Sequence, residues 1–191
     1  MSPILGILAS SYLAAPATSY ESIATVTVGS GGSATIDFTS IPGTYTHLQL
    51  RFLIGSARNT SAYSASRITF NSDTGSNYAS HRLFGDGSSV SADSQTTQTA
   101  LYSAWYPNGS KQYFGVAVLD ILDYANTNKY KTVRVLSGVE DNAASSAGVV
   151  GLVSGLWMST SAITSISIAE GSYTNNFLQY SQVALYGIKG A

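Results

Sequence analysis

The chain has 191 residues, 44% of them hydrophobic and only 10% charged, with a net charge of −1; ordinary soluble domains carry about 25% charged residues. Nine basic residues give no electrostatic footprint for a phosphate backbone, so nucleic acid is not an expected partner. The absence of cysteine removes disulfides and thiolate chemistry. At this length one domain is the default, able to bury roughly 70% of its unfolded surface.

Residues 1–19 read as an arm. Ile4, Leu5, Ile7, Leu8 and Leu13 make an apolar strip, interrupted by Gly6 and Ser10-Ser11 and ended by Pro16. No Lys or Arg precedes Arg51, so the positive n-region of a signal peptide is missing, and no run approaches the roughly 18 apolar residues of a membrane span. Neither a membrane nor cleavage is expected. The strip needs cover, and a neighbouring subunit or larger assembly is the expected cover.

Residues 20–191 read as one β-sandwich domain. A strand from Tyr20 to Val28, the Gly29-Ser30-Gly31-Gly32 reversal and a return through Ala34, Ile36 and Phe38 predict a hairpin. Ile41-Pro42-Gly43-Thr44 then turns the chain into residues 46–54, where Leu48, Leu50, Phe52 and Ile54 alternate with His47, Gln49 and Arg51. Further strands are predicted near 66–70, 78–84, 99–105, 112–122, 130–139, 148–158, 162–169 and 177–188. The Ser-rich stretch from Asp86 to Thr99 reads instead as a long exposed loop of the kind that carries binding. The segments 112–122 and 148–158 are apolar on both parities, which predicts central strands covered on both faces, or strands at a subunit interface. Many short strands with turns between them and almost no helical period indicate an all-β antiparallel sandwich, with a jelly roll as first choice.

Chemistry is sparse. Two histidines, His47 and His81, with no cysteine give no zinc site, and serines are too common for a Ser near a His to carry meaning. The Asp73 loop (71–77) and the Asp123 loop (123–128) lack the ligand spacing of a calcium loop, and Asx-turns explain them more simply. No cofactor or metal is expected. Asp120 shares parity with Phe114, Val116, Val118 and Leu122, so it is expected against an apolar layer with Arg134 as a structural partner across strands. A catalytic role for Asp120 lacks a second, opposed acid. Trp157 reads as core, with Gly151 leaving room beside its ring; Trp105 and Tyr106, at a strand end, are the candidate glycan-stacking platform.

Several runs together resemble a family of tailed-bacteriophage virion structural proteins: Ile41-Pro42 with Tyr45-Thr46-His47-Leu48-Gln49-Leu50-Arg51, the run from Phe70 to Tyr78, Asp120 to Asn126, Gly155-Leu156-Trp157-Met158, and the closing Ala184 to Gly190. The opening Pro3 to Ser11 shares the likeness. Membership implies a β-rich particle component located in the virion and made in the host bacterial cytoplasm; no site residues transfer with it. The chain is thus expected to be non-enzymatic, a homo-oligomer, as a trimer, that decorates or cements a capsid by docking its arm on other virion proteins such as the major capsid or tail proteins. The alternative is a tail or fibre module that recognises host surface glycans through Trp105, Tyr106 and the loop at 86–99.

Overall fold

The computed structural model describes residues 19–58, 62–109, 113–140 and 148–190. The expected arm contacts Ile4, Leu5, Ile7, Leu8 and Leu13 lie outside the described residues. Twelve strands follow in chain order: β1 (Tyr20–Thr27), β2 (Thr35–Phe38), β3 (His47–Ile54), β4 (Tyr63–Phe70), β5 (Tyr78–Gly85), β6 (Val90–Gln98), β7 (Leu101–Pro107), β8 (Gly115–Leu122), β9 (Lys131–Val139), β10 (Val149–Trp157), β11 (Ile166–Ala169) and β12 (Gln182–Ile188). They form two antiparallel sheets, one of eight strands in the order β1-β12-β3-β8-β9-β10-β5-β6 and one of four in the order β2-β11-β4-β7. The expected sandwich is present. The middle of the large sheet is a β8-β9-β10 meander, and its order lends no support to the jelly-roll part of the expectation.

Two local expectations are corrected. The glycine-rich reversal is real, with Gly31 and Gly32 both at positive φ, yet β1 and β2 are not a hairpin. β1 pairs with β12 in the large sheet and β2 with β11 in the small one, so the turn carries the chain between layers. Alternation reports that each strand has one buried face, but not which strand lies beside it. The second correction is the Ser-rich stretch, most of which is strand β6, paired along β5 at the edge of the large sheet. Its side chains are mostly exposed, because an edge strand beyond the small sheet needs backbone pairing but little apolar burial. Asp86 shapes the turn into it by accepting the Ser88 and Ser89 amides at 3.0 and 2.8 Å, which lowers its pKa to about 2.

The core lies between the sheets. Leu48, Leu50, Phe52 and Ile54 of β3, Ala117, Leu119 and Ile121 of β8, and Val133 and Val135 of β9 face Ile68 and Phe70 of β4 and Leu101, Ala104 and Trp105 of β7. β7 runs across β8, β9 and β10 and is sewn to them by Ser137, whose Oγ accepts the Trp105 amide at 2.8 Å and donates to the Val116 carbonyl at 3.1 Å. The room at Gly151 serves Trp105, not Trp157: a Cβ there would come within 2.9 Å of the Trp105 ring. Trp157 instead stacks on Tyr78 at 6.3 Å and tilts against Phe70 at 5.5 Å.

The Trp157 indole N–H donates to Asp73 Oδ2 at 2.7 Å. Asp73 also accepts the Gly75 amide and the Asn77 side-chain amide, and its carbonyl takes the Tyr78 hydroxyl. The 71–77 loop is therefore an Asx-turn clamped onto the core. A buried indole N–H left without an acceptor costs its desolvation, so Asp73→Ala is expected to destabilise the domain by about 1–3 kcal/mol in chemical denaturation. The Trp157 N–H, more than the Asn77 and Gly75 donors, holds the Asp73 carboxyl below its ordinary 3.8. Because the folded pKa is the depressed one, this contribution is complete above the unfolded value and is lost as pH falls through the folded value. Thermal melts from pH 6 to pH 2 are expected to show a shallower acid loss in Asp73→Asn than in the parent.

Candidate functional site

Strands β8 and β10 are apolar on both parities, and only one face of each, as of β9 between them, meets the small sheet. The other face looks outward. Cross-strand register places Leu83 of β5, Leu152 of β10, Leu136 of β9 and Val118 of β8 in one line, ending at Arg51 of β3. The adjacent line holds Val90 of β6, Gly85, Val150, Gly138, Val116 and Leu53 of β3. Leu136 is 56% exposed, Val150 61% and Val116 54%. The eight Leu and Val side chains of the two lines expose on the order of 700 Å², at or beyond the largest patch of a typical monomer.

A polar line borders this stripe. His81, Ser154, Arg134, Asp120, Gln49 and Tyr186 follow one another across six strands. Arg134 donates to Asp120 Oδ2 at 2.9 Å, Gln49 donates to Asp120 Oδ1 at 2.9 Å, and the Tyr20 hydroxyl donates to Gln49 Oε1 at 2.8 Å. Tyr20 and Tyr186 stack at 4.8 Å, with the Arg51 guanidinium 5.6 and 5.5 Å from their ring centres. An apolar centre with a hydrogen-bonded rim rich in Tyr and Arg is the anatomy of a protein–protein interface.

The residues singled out from sequence fall as follows. Asp120 and Arg134 are directly opposed in register and do pair, but the expected side of the sheet is wrong. Gly115, Ala117, Leu119 and Ile121 face the core, while Asp120 shares the outer face with Val116 and Val118. With both parities of β8 apolar, its sequence could not say which one met the second sheet. The pair is a rim contact, with the Arg134 side chain 74% exposed, and pairs of that kind contribute little to stability.

Trp105 and Tyr106 are not a surface platform. They are 3% and 0% exposed, because β7 lies between the large sheet and the loops over its end. Trp105 packs on Phe84 and over Gly151. Tyr106 packs edge-on to Phe177 and donates to Glu170 Oε1 at 2.9 Å, and burial pushes its phenol well above the usual range.

Glu170, itself 0% exposed, was not foreseen. Its carboxylate accepts the Tyr106 hydroxyl and the Ser172 amide, and contacts the Ser56 hydroxyl at 3.5 Å. This knot closes the 170–176 loop over the end of β7. Its oxygens are engaged by the protein's own donors, so it is a fastening, and no sequence signal marks a lone Glu as buried.

The remaining polar groups are held separately. His47 Nδ1 accepts the Asp123 amide at 3.0 Å, and Lys129 holds the Asp123 carboxyl below its ordinary value. His81 stands in the rim line on β5. Asp93 is gripped by Arg82, whose guanidinium also lies 3.8 Å from the Tyr102 ring centre. Among the described residues no group of three or more His, Asp or Glu side chains is placed to hold a metal. No protein-family model matches the chain, and neither the curated proteins nor the solved structures contain a match.

Because Trp105 is a packing residue, Trp105→Ala is expected to cost about 3–5 kcal/mol of stability. Urea denaturation checks this; a loss near zero would return the ring to the surface.

Proposed function

We propose that this chain is a non-enzymatic structural component of a tailed-phage virion, an oligomeric decoration or cement protein that docks on a particle through its N-terminal arm and uses the outer face of its eight-stranded sheet as an assembly surface. The observation that carries the reading is the pair of exposed aliphatic lines across β6, β5, β10, β9, β8 and β3. Isolated exposed Leu or Val side chains need no explanation, but eight in two adjacent lines on one sheet face expose a surface that water penalises and a protein neighbour relieves. The apolar strip at Ile4, Leu5, Ile7, Leu8 and Leu13 adds a second such surface in sequence, and the likeness of several runs to virion proteins supplies the class of assembly. Low charge suits the same role: wet contacts rich in hydroxyl and amide groups fix register without burying ions.

The glycan-recognition alternative has lost the two rings named for it, and no exposed tryptophan on the described residues replaces them. The test is co-sedimentation of the purified chain with tailed-phage particles. The full-length protein is expected to pellet with particles. A chain lacking residues 1–18 is expected to keep its melting temperature within a few degrees and stay in the supernatant. Failure of the full-length chain to bind heads or tails, or turnover of a host polysaccharide, would overturn the reading.

A further inference from the structure

We propose that the occupant of the outer sheet face is a second copy of this chain, packed face to face about a two-fold axis that lies between the two sheets and runs across the strands at the level of Ser137. This deepens the assembly reading by naming the partner of the same surface.

The register carries the inference. β9 is the central strand of the stripe, with β8 and β3 on one side and β10 and β5 on the other. A half-turn about that axis turns the second sheet over, lays each strand antiparallel on the same strand of the other copy, and exchanges the two aliphatic lines. Leu136 of one copy then stands over Gly138 of the second, a projecting side chain over the one position in the centre that has none. Leu152 meets Val150, Val118 meets Val116 and Leu83 meets Gly85, so each aliphatic residue of the first line finds an aliphatic side chain or a glycine of the second. Sheets packed this way sit about 10 Å apart with strand directions within about 30° of each other.

Charge follows the same symmetry. Along the outer side of β9 the order is Arg134, Leu136, Gly138, with Glu140 next beyond the strand, so a cation and an anion lie equally far from Ser137 in opposite directions. The half-turn sets Arg134 of each copy over Glu140 of the other, twice per dimer. The apolar area, on the order of 700 Å² per copy, approaches the roughly 800 Å² per partner of a standard interface. A patch that complements itself gives a two-fold dimer, whereas the three-fold ring expected from the sequence needs two different patches.

Sedimentation velocity on the full chain over a range of concentrations tests the proposal. A reversible dimer of the 20.0 kDa chain is expected. Leu136→Lys should weaken it by roughly 100-fold or more, since it places a charge at the centre of the contact. Arg134→Glu or Glu140→Arg alone should weaken it about tenfold by setting like charges together, and the two combined should recover most of that loss. All four variants are read beside a melting curve, and the charge exchange keeps the test decisive if Leu136→Lys misfolds. A monomer at every concentration, a trimer, or a dimer indifferent to the charge exchange would overturn the pairing. A monomer that still binds phage particles would overturn the pairing alone; a dimer answering to the exchange that ignores particles would uphold it and remove the virion reading.

Discussion

Four strands cannot cover eight. A β-strand presents side chains on two sides, and each apolar side must be shielded from water by a second layer. Here the small sheet and its loops shield one face of the large sheet, and nothing else among the described residues lies over the other. That mismatch positions everything of interest: the core beneath β4, β7 and β11, the polar edge strand β6 that extends past the small sheet, and the aliphatic stripe on the outside of β6, β5, β10, β9, β8 and β3.

The inner layer is fastened by polar groups placed at its margins. Ser137 joins β7 to the large sheet, the Trp157 indole ties the 71–77 loop to the core through Asp73, and Glu170 closes the far end over Tyr106. Each fastening pairs a buried donor with a nearby acceptor, so little desolvation is left uncompensated. With charged residues scarce, hydroxyl, amide and indole groups do this with few ions. The same economy on the outer face leaves the Arg134–Asp120–Gln49–Tyr20 chain as a border around aliphatic surface.

How far this was legible in the sequence differs element by element. The strand at 47–54 was largely so, because alternation from His47 to Phe52 allows only one face to be buried, with Leu53 the one apolar residue on the other face. Strand β6 was not: its hydroxyls and amides carry no periodic signal, and its structure comes from backbone pairing to β5. The hairpin expected across Gly29 to Gly32 failed because a turn fixes the reversal of the chain but not the sheet that receives it. Trp105 and Tyr106 looked like a surface pair at a strand end until β7 proved to run through the middle of the sandwich. The outer face left a clear trace in strands apolar on both parities, and that trace pointed to central strands or an interface; β8 and β10 are central strands whose second face stays open.

What the sequence determined by itself is that this chain makes sheets, that its core is aliphatic and aromatic, and that it holds more apolar strand surface than one compact layer needs; composition and period-two alternation are local properties, readable residue by residue. Only the tertiary structure decided which parity of β8 faces inward, that Asp120 and Arg134 meet on the outer side, and that Leu and Val from six strands, far apart in the chain, line up beside one another. Those facts depend on strand order and register, which are set by long-range pairing between segments that carry no mark of their partners.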